Sequence, residues 1–560
     1  MEIRAEAERW LRAEPDDDLR DELRELIDGP RAELEQRFGG HLEFGTAGLR
    51  AAVGAGPLRM NRLVVRQAAA GLAAWLKLQA KQGAIQSGPV IVGYDARRKS
   101  DLFAVDTARV MAAAGFDVLI FDQVVPTPVL AWNIRQFACC AGVMVTASHN
   151  PPADNGYKVY LGSGSQIVSP VDQQIAAQIQ QIHPWNVDMA DEDDERIRWI
   201  GAKEIDQYVQ AAAQTVLRQT AGVPVAYTAM HGVGGQVFVD VCAALGYPRP
   251  SVVAQQQQPD GTFPTVTFPN PEEPGAMDLV LALANETGSA LAIANDPDAD
   301  RLGAAIPLRS GGWRLLGGDE IGWLLADHIL ANTADDYIRD LSRQGVAGYA
   351  TEQRLVVTTL VSSSLLGRIA ANYGVHYQET FTGFKWIARV ALSHPELRFV
   401  FGYEQALGYL VTDRPLDKDG ITAATMLIEA AATLAERGET LEDRLNQLAD
   451  QYGRYTIYDT SVKMAPAAGA RAVAALRASL PTKIGGQAVT DSTWYAEAGL
   501  LRVQLGDNLR IQVRPSGTEP KVKLYGEGVD ADPRSAVDAM AQLLRDAAAW
   551  MRGRVDAADD

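Results

Sequence analysis

Residues 142–152 read GVMVTASHNPP, an apolar segment of strand type that ends in a polar loop closed by two prolines. Proline lacks a backbone N–H, so Pro151 and Pro152 keep the chain from continuing as a strand. Ser148 is thereby placed on a tight, exposed loop beside His149 and free backbone N–H groups, where a serine can carry a phosphoryl group. A strand followed by an ordinary polar turn gives the same pattern, so the rest of the chain has to decide between the two readings.

The segments before this loop alternate between strand and helix patterns. PVIVGYD (89–95) and FDVLIFD (116–122) are apolar strands, and a helix is predicted over about 101–114 between them. This alternation is typical of an α/β domain with a mostly parallel sheet. Functional loops in such sheets follow the carboxyl ends of strands, and both Asp95 and Ser148 fall there.

The same rhythm occurs twice more, with strands at PVAYTAMHG (224–232), ALAIAND (290–296), RLVVTTL (354–360) and RFVFGYE (398–404). From about residue 455 the pattern changes to short alternating strands with a hairpin signal at Gly-Asp-Asn (506–508), closed by a helix. We therefore predict an α/β fold with three successive mixed α/β domains and a C-terminal α+β domain. The predicted domains span residues 1–212, 213–318, 319–452 and 453–560.

The composition indicates a globular protein of several domains. The chain has 560 residues, of which 47% are hydrophobic and 22% charged, and that length corresponds to roughly three to five domains. The formal net charge of −18 argues against a nucleic-acid partner, because binding a duplex requires a basic surface. A phosphorylated small molecule is still compatible, since a local Arg/Lys pocket can lie within an acidic surface.

Cysteine usage and the N-terminus bear on the compartment. Cys139, Cys140 and Cys242 cannot form a disulfide framework and fit a reducing environment. The N-terminal residues are acidic and helical in pattern, and no run of about 18 uncharged apolar residues occurs. We expect a cytoplasmic protein with no membrane partner, either a monomer or a homodimer.

The segment NDPDADR (295–301) places three carboxylates, Asp296, Asp298 and Asp300, at alternate positions directly after an apolar strand. Oxygens with this spacing in a looped backbone can converge on one hard cation, and Mg²⁺ is the expected ion. A solvated acidic turn is the alternative, because the calcium-loop pattern with its later glutamate is missing. The apolar strand before the aspartates and Arg301 after them favour the metal site.

Two further loops could bind a sugar phosphate. RPSGTEPK (514–521) combines a guanidinium, two hydroxyls, an ammonium group and a glycine N–H, and these groups suit a dianionic phosphate. The residues that supply them are Arg514, Ser516, Gly517, Thr518 and Lys521. GYEQALGY (402–409) places Glu404 and Gln405 in a glycine-bounded loop, where Glu404 could accept hydrogen bonds from two sugar hydroxyls. A polar hairpin is the alternative for the first loop, and a capped helix start for the second.

Two lysines are candidates for proton transfer. Lys385 in FTGFKW (381–386) lies among aromatic residues, where desolvation could lower its pKa. Lys158 in NPPADNGYKVY (150–160) is the second candidate. A lysine whose stem packs against a helix start is the simpler alternative for Lys385.

The motifs TASHNPP, NDPDADR, GYEQALGY and RPSGTEPK occur in this order, one in each predicted domain. Together they resemble the α-D-phosphohexomutase superfamily, the phosphoglucomutases and phosphomannomutases. The resemblance extends from GTAGLR (45–50) to the final helix. It implies four domains around one central cleft, of which the last binds a phosphate.

The resemblance also implies residue roles. Ser148 matches the serine that is phosphorylated in the active enzyme, and one Mg²⁺ per chain would be held by its phosphate and by the three aspartates. Glu404 matches the residue that reads the sugar hydroxyls. A further loop of the superfamily binds the phosphate that is not being transferred. It is matched by Arg514, Ser516, Gly517 and Thr518. The positions that fall near the phosphoserine are Arg50, Lys158 and Arg301.

The implied activity moves a phosphoryl group between the 1- and 6-positions of a hexose phosphate through a sugar bisphosphate, which also serves as activator. TGFKW resembles the lysine-bearing form of phosphoglucomutases, whereas bacterial enzymes of dual specificity place histidine there, so glucose is favoured and mannose remains possible. Exchange between pentose 1- and 5-phosphates is the alternative within the superfamily. A metal-dependent sugar phosphatase or a non-catalytic sugar-phosphate sensor are alternatives from other classes.

Two loops depart from the superfamily pattern. The sugar loop reads Glu-Gln-Ala rather than Glu-Glu-Ser. The metal loop carries Pro297 and Ala299 where many relatives have glycines, which should stiffen the loop without removing a ligand. Substrate preference is therefore left open at this point.

Overall fold

The computed structural model describes residues 2–45, 48–343, 353–516 and 520–556. Its packing divides the chain into two compact units. Unit 1 comprises Met1–Val357 with Gly383–Gly438, and unit 2 comprises Thr358–Thr382 with Glu439–Asp560. The predicted domain boundaries after residues 212, 318 and 452 remain predictions beside this division.

Unit 1 opens with three helices where the sequence predicts amphipathic helices, at Glu2–Ala13, Asp17–Asp28 and Arg31–Phe38. Their apolar faces are buried, and the rings of Trp10 and Phe38 meet edge to face at 6.0 Å. These helices therefore contribute to the core of the first α/β segment.

The first sheet has six strands, in the spatial order Leu49–Ala52, Asp154–Leu161, Ala141–Val145, Val90–Tyr94, Val118–Phe121 and Ile197–Ile200. The last four are parallel, and the first two run antiparallel to their neighbours. The helices of this segment are Arg62–Lys81, Ser100–Ala113, Thr127–Gln136, Val171–Ile179 and Ala202–Ala213. Because Ala141–Val145 and Val90–Tyr94 are adjacent and parallel, the loops after them, with Ser148 and Asp95, lie at one edge of the sheet.

The second sheet has five strands, in the order Trp313–Leu315, Gly303–Pro307, Leu291–Ala294, Val225–Thr228 and Ser251–Val252. Its helices are Gly235–Ala244, Asp278–Thr287 and the short 3₁₀ turn Ala254–Gln256. The strand Leu291–Ala294 is fully buried and pairs antiparallel with Gly303–Pro307. The connection between these two strands carries the three aspartates.

The third α/β segment of unit 1 contains the strands Arg354–Thr359, Arg398–Glu404 and Gly408–Leu410 and the helices Gly318–Arg343, Phe384–Ser393 and Gly420–Ala435. The last helix begins after Asp419, whose side chain accepts hydrogen bonds from the N–H groups of Ile421 and Thr422. This cap fixes the chain direction just after the buried Lys418.

Unit 2 is built on a six-stranded antiparallel sheet, in the order Tyr455–Lys463, Lys521–Val529, Leu509–Pro515, Leu500–Leu505, Gln487–Tyr495 and Lys483–Ile484. Its other elements are the helices Leu365–Asn372, Leu441–Tyr452, Pro466–Ala478 and Arg534–Asp556 and the strand His376–Thr380. The hairpin predicted at residues 506–508 is confirmed, since Leu505 pairs with Leu509. The predicted α+β character of the C-terminal segment is confirmed as well.

Among the described residues, no helix combines the length and apolar character required to cross a bilayer.

Candidate active site

Ser148 lies just beyond the strand Ala141–Val145 in a left-handed backbone conformation, with φ of +51°. Few non-glycine residues adopt this conformation, and those that do often lie at functional sites. The predicted exposure of Ser148 is wrong: the residue is buried, because the loop packs against the one that carries Asp296, and its Oγ donates to Asp296 Oδ2 at 2.7 Å. The predicted serine and the first predicted metal ligand are therefore in direct contact.

His149 and Arg50 complete the surroundings of the serine. His149 Nδ1 lies 3.2 Å from Ser148 Oγ, and Arg50 Nη1 donates to Asn150 Oδ1 at 2.9 Å. Burial, followed by the positive charges of Arg301 and Arg50, lowers the pKa of His149 well below its usual value. The imidazole is therefore neutral near pH 7 and can exchange a proton with a hydroxyl, but it brings no positive charge to the loop.

Backbone hydrogen bonds from three other segments, two of them helix N-termini, hold the segment that carries the aspartates. Thr127 N donates to Asp298 O at 2.9 Å, Val233 N to Pro297 O at 2.8 Å, and Gly420 N to Ala299 O at 3.2 Å. Ala299 itself has φ of +56°. These bonds fix the loop from three separate parts of unit 1.

The three aspartates form a compact group. One carboxylate oxygen from each of Asp296, Asp298 and Asp300 lies within 4.8 Å of the others, and all three side chains are buried. Within the described part of the chain, Asp298 Oδ1 and Asp300 Oδ1 have no hydrogen-bond partner. Burial first, and then the two neighbouring carboxylates, raise the pKa of Asp296 well above its ordinary value. Clustered, buried carboxylate oxygens of which two lack a hydrogen-bond partner fit a hard divalent cation such as Mg²⁺.

The second carboxylate oxygens of Asp298 and Asp300 are held by lysines. Lys158 Nζ donates to Asp298 Oδ2 at 2.6 Å and to Asp300 Oδ2 at 2.9 Å, and Lys418 Nζ lies 3.2 Å from the same Asp300 oxygen. Burial alone would lower the pKa of Lys158, but Asp298 and Asp300 outweigh it and raise the pKa. The lysines thus fix the Oδ2 atoms of Asp298 and Asp300 and leave the Oδ1 atoms of these two residues for a cation.

Lys418 is a site residue that no sequence motif marks. Its neighbours anchor it to the first α/β segment, because Asp417 accepts from Tyr160 Oη at 2.8 Å and Asp419 accepts from Tyr208 Oη at 2.8 Å. Charged residues at 417–419 just before a helix are an ordinary N-terminal pattern, so only the tertiary contact with Asp300 distinguishes this lysine.

The predicted sugar loop lies next to the metal loop. Glu404 ends the strand Arg398–Glu404 and pairs with Gly408 across a tight turn that also contains Gln405. Leu302 N donates to Leu407 O at 3.1 Å, and Arg301 forms an isolated bridge with Gly408. The Glu404 side chain is only 8% exposed, so a ligand that reaches it must enter a largely enclosed site.

Arg301 joins the sugar loop to the aspartates. Its backbone N donates to Asp296 Oδ1 at 3.0 Å, and its guanidinium Nε lies 4.0 Å from Asp296 Oδ2. Glu404 is among the charges that act on Arg301 and on Lys418. The positive charge of Arg301 therefore lies between Asp296 of the predicted metal site and Glu404 of the predicted sugar site.

Lys385 lies in the first turn of the helix Phe384–Ser393. Burial lowers its pKa to about 8, although Asp172 and Glu404 act in the opposite direction. This agrees with the desolvation expected among the aromatic residues of TGFKW. Lys385 therefore has a neutral form available close to neutral pH, whereas Lys158 is held as an ammonium group.

The predicted phosphate loop belongs to unit 2. Arg514 lies in the strand Leu509–Pro515 opposite Lys523, and Ser516 N donates to Lys521 O at 2.8 Å where the hairpin closes. Gly517 and Thr518 lie outside the described residues. Cationic side chains are thus adjacent at this hairpin, as binding of a phosphate requires.

Comparison with known sequences gives matches along most of the chain. Models of the phosphoglucomutase/phosphomannomutase family match as α/β/α domain I at residues 41–184, domain II at 206–309, domain III at 317–452 and the C-terminal domain at 460–543. The chain is 40% identical over 493 residues to the "Probable phosphomannomutase" of Haemophilus influenzae, covering 86% of this chain and 96% of that protein. It is 33% identical over 577 residues to human phosphopentomutase, covering 93% of this chain and 90% of that protein.

A solved structure with the same fold is that of a phosphoglucomutase/phosphomannomutase family protein from Burkholderia thailandensis. Its TM-score is 0.68 at 22% identity, with 90% of this chain and 97% of that chain covered. At this identity the likeness concerns the fold alone.

Proposed function

Because this chain belongs to the phosphoglucomutase/phosphomannomutase family of phosphotransferases, we propose that it interconverts the 1- and 6-phosphates of a hexose, with glucose favoured over mannose. The observation that carries the proposal is the 2.7 Å hydrogen bond from Ser148 Oγ to Asp296 Oδ2. It joins a serine that can be phosphorylated to a group of carboxylates that can hold a divalent cation.

In the first half-reaction, phosphorylated Ser148 meets a hexose 1-phosphate. The sugar 6-oxygen attacks phosphorus, the bond from phosphorus to Ser148 Oγ breaks, and a bond to the sugar oxygen forms. Lys385 Nζ takes the hydroxyl proton, which its lowered pKa permits. Ser148 Oγ regains a proton from solvent, and we assign the neutral imidazole of His149 as the relay because its Nδ1 lies 3.2 Å away.

In the second half-reaction, the hexose 1,6-bisphosphate turns over and presents its 1-phosphate to Ser148. Ser148 Oγ attacks that phosphorus and its proton returns to solvent through His149, while the sugar 1-oxygen leaves with the proton that Lys385 carries. The enzyme is again phosphorylated and the product is the hexose 6-phosphate. No inorganic phosphate is released, and an added bisphosphate can load an unphosphorylated enzyme by the same step.

The residues that would hold Mg²⁺ are Asp296, Asp298 and Asp300, together with phosphorylated Ser148. When bound, Mg²⁺ withdraws charge from the phosphoryl oxygens and so favours transfer. Lys158 keeps the Oδ2 atoms of Asp298 and Asp300 in place, and Arg50 and Arg301 provide fixed positive charge beside the serine loop.

Glu404 and Gln405 are proposed to bind the sugar hydroxyls. The enclosed position of Glu404 beside Arg301 supports this role. The phosphate not being transferred is assigned to Arg514, Ser516, Gly517, Thr518 and Lys521, on the motif that these residues form.

Exchange of pentose 1- and 5-phosphates is the second candidate function, and the match to human phosphopentomutase favours it. A sugar phosphatase or a non-catalytic sensor would use the same metal group with a different outcome. Initial rates with the 1-phosphates of glucose, mannose and ribose, each with its bisphosphate as activator, test the proposal. We expect the fastest rate with glucose 1-phosphate. A faster rate with ribose 1-phosphate would indicate that the protein is a pentose phosphate mutase instead. Steady release of inorganic phosphate would indicate hydrolysis.

A further inference from the structure

Arg97 is a buried residue in the loop after the strand Val90–Tyr94, and its side chain spans the loop that carries Ser148. Its Nη2 donates to the backbone carbonyls of Ser148 and Asn150, the latter at 2.6 Å. Its Nη1 donates to the carbonyls of Pro151 at 2.7 Å and Asp154 at 3.0 Å. One guanidinium therefore binds four carbonyl oxygens of a single loop.

The same guanidinium is linked to the amide of Ser148 through two other side chains. Ser148 N donates to Thr146 Oγ1 at 2.9 Å, and Thr146 Oγ1 donates to Asp95 Oδ2 at 2.6 Å. Asp95 Oδ2 lies 3.3 Å from Arg97 Nε, and all three side chains are buried. The N–H and the C=O of Ser148 are thus held by one closed ring of interactions.

The second α/β segment, which carries the aspartates, covers Arg97. The Arg97 guanidinium lies over the Phe263 ring at 4.9 Å, and Phe263 has φ of +46°. At Gly261 a Cβ atom would lie 2.3 Å from Ala96 O, so this segment approaches the Arg97 backbone as closely as only glycine permits. The residue that holds the Ser148 loop therefore packs directly against the segment that carries the three aspartates.

We propose that Arg97 is a positioning residue that holds Ser148 in its left-handed conformation and so directs Oγ toward Asp296 and the incoming phosphoryl group. The proposal rests on the mutase function proposed above. Arg97 makes its contacts with backbone carbonyls and with Asp95, and acts on the reaction through Ser148. Lysine cannot replace it, because a single ammonium group cannot span carbonyls that a planar guanidinium reaches with two separate nitrogens.

The test is the variant Arg97→Lys, compared with Arg62→Lys as a matched control. Arg62 forms a partly buried pair, with its Nε 2.7 Å from the buried Asp106 Oδ2 in the same α/β segment, but its hydrogen bonds go to Asp106 and Asp16 rather than to the serine loop. We expect kcat of Arg97→Lys to fall about 100-fold with KM nearly unchanged, since misplacing a reacting group by an ångström costs that much. Arg62→Lys should keep kcat within about 3-fold of the wild type, as a change remote from the reacting groups allows.

Amide hydrogen exchange of residues 146–154 provides a readout independent of turnover. Exchange should be faster in Arg97→Lys than in the wild type and unchanged in Arg62→Lys. In addition, methylguanidinium should restore part of the kcat of Arg97→Ala, whereas methylammonium should not. If the Arg97 variants do not fold, Thr146→Val breaks the same ring with little change in volume and should show the same loss of kcat and faster exchange.

Unchanged exchange of residues 146–154, or unchanged kcat with faster exchange, would overturn the proposal. A wild-type protein that transfers no phosphoryl group would instead refute the proposed function. The exchange comparison would then still decide whether Arg97 holds the loop.

Discussion

Ser148 Oγ donates a 2.7 Å hydrogen bond to Asp296 Oδ2 across 148 residues of sequence. The two residues lie on loops of different sheets, and each loop is held by backbone or side-chain contacts from other segments. The serine and the carboxylate group are consequently in direct contact, and each prediction changes one part of the proposed site.

Removing a metal ligand should weaken binding of the divalent cation. We expect Asp298→Asn and Asp300→Asn each to lower the affinity for Mn²⁺ by about 10- to 100-fold. Each substitution removes the negative charge of a buried carboxylate whose Oδ1 atom has no partner among the described residues. Titration of the purified protein with Mn²⁺, followed by its electron paramagnetic resonance signal, measures this directly. Glu286→Gln, at an exposed acid of the same segment, is the control and should bind as the wild type does. Equal affinity in all four proteins would remove these aspartates from the metal site.

The two half-reactions should have opposite pH dependence if Lys385 carries the proton. Burial lowers the Lys385 pKa to about 8, so below that pH the amine is protonated and cannot accept a proton. Single-turnover transfer from phosphorylated enzyme to hexose 1-phosphate should therefore become faster as pH rises through about 8, and transfer from the bisphosphate should become slower. Lys385→Met should abolish the pH dependence of both reactions near pH 8. A profile unaltered by this substitution would assign the proton transfer to another group.

Removing the charge of Glu404, the proposed ligand of the sugar hydroxyls, should raise KM for every sugar. In Glu404→Gln the amide accepts one fewer strong hydrogen bond, and KM for glucose and mannose 1-phosphates should rise about 10-fold, as loss of a charged acceptor predicts. Steady-state rates with both sugars provide the measurement, and Glu286→Gln again serves as the control. A change confined to Mn²⁺ affinity would show that Glu404 belongs to the metal site.

The proposed phosphate loop can be tested separately from unit 1. Arg514→Gln removes a guanidinium from the hairpin in which Ser516 N donates to Lys521 O, and we expect KM to rise about 10- to 100-fold from the lost charge-assisted bonds. Mn²⁺ affinity should not change. An unaltered KM for hexose 1-phosphate would exclude Arg514 from substrate binding.

The sequence predicted the parts of the site that are local motifs. Ser148, Asp296 and Asp300 could be identified because each lies in a short polar run directly after an apolar strand, a pattern that parallel sheets impose. The bounds of strands such as Arg398–Glu404 followed for the same reason.

Residues whose role depends on distant partners could not be identified in this way. Lys418 and Arg97 lie in ordinary polar turns, and only folding brings them to Asp300 and to the carbonyls around Ser148. The environment also separates Lys158 from Lys385, since two carboxylates hold one lysine charged while burial lowers the pKa of the other. Neither difference is visible in the residue types.

Intact mass of the purified protein tests the central claim most directly. Incubation with glucose 1,6-bisphosphate and Mg²⁺ should add one phosphate at Ser148, and a following addition of glucose 1-phosphate should remove it with formation of bisphosphate and no inorganic phosphate. Ser148→Ala should remain unmodified and inactive while folded. Absence of the added phosphate on the wild type, or near-normal turnover by Ser148→Ala, would contradict the account.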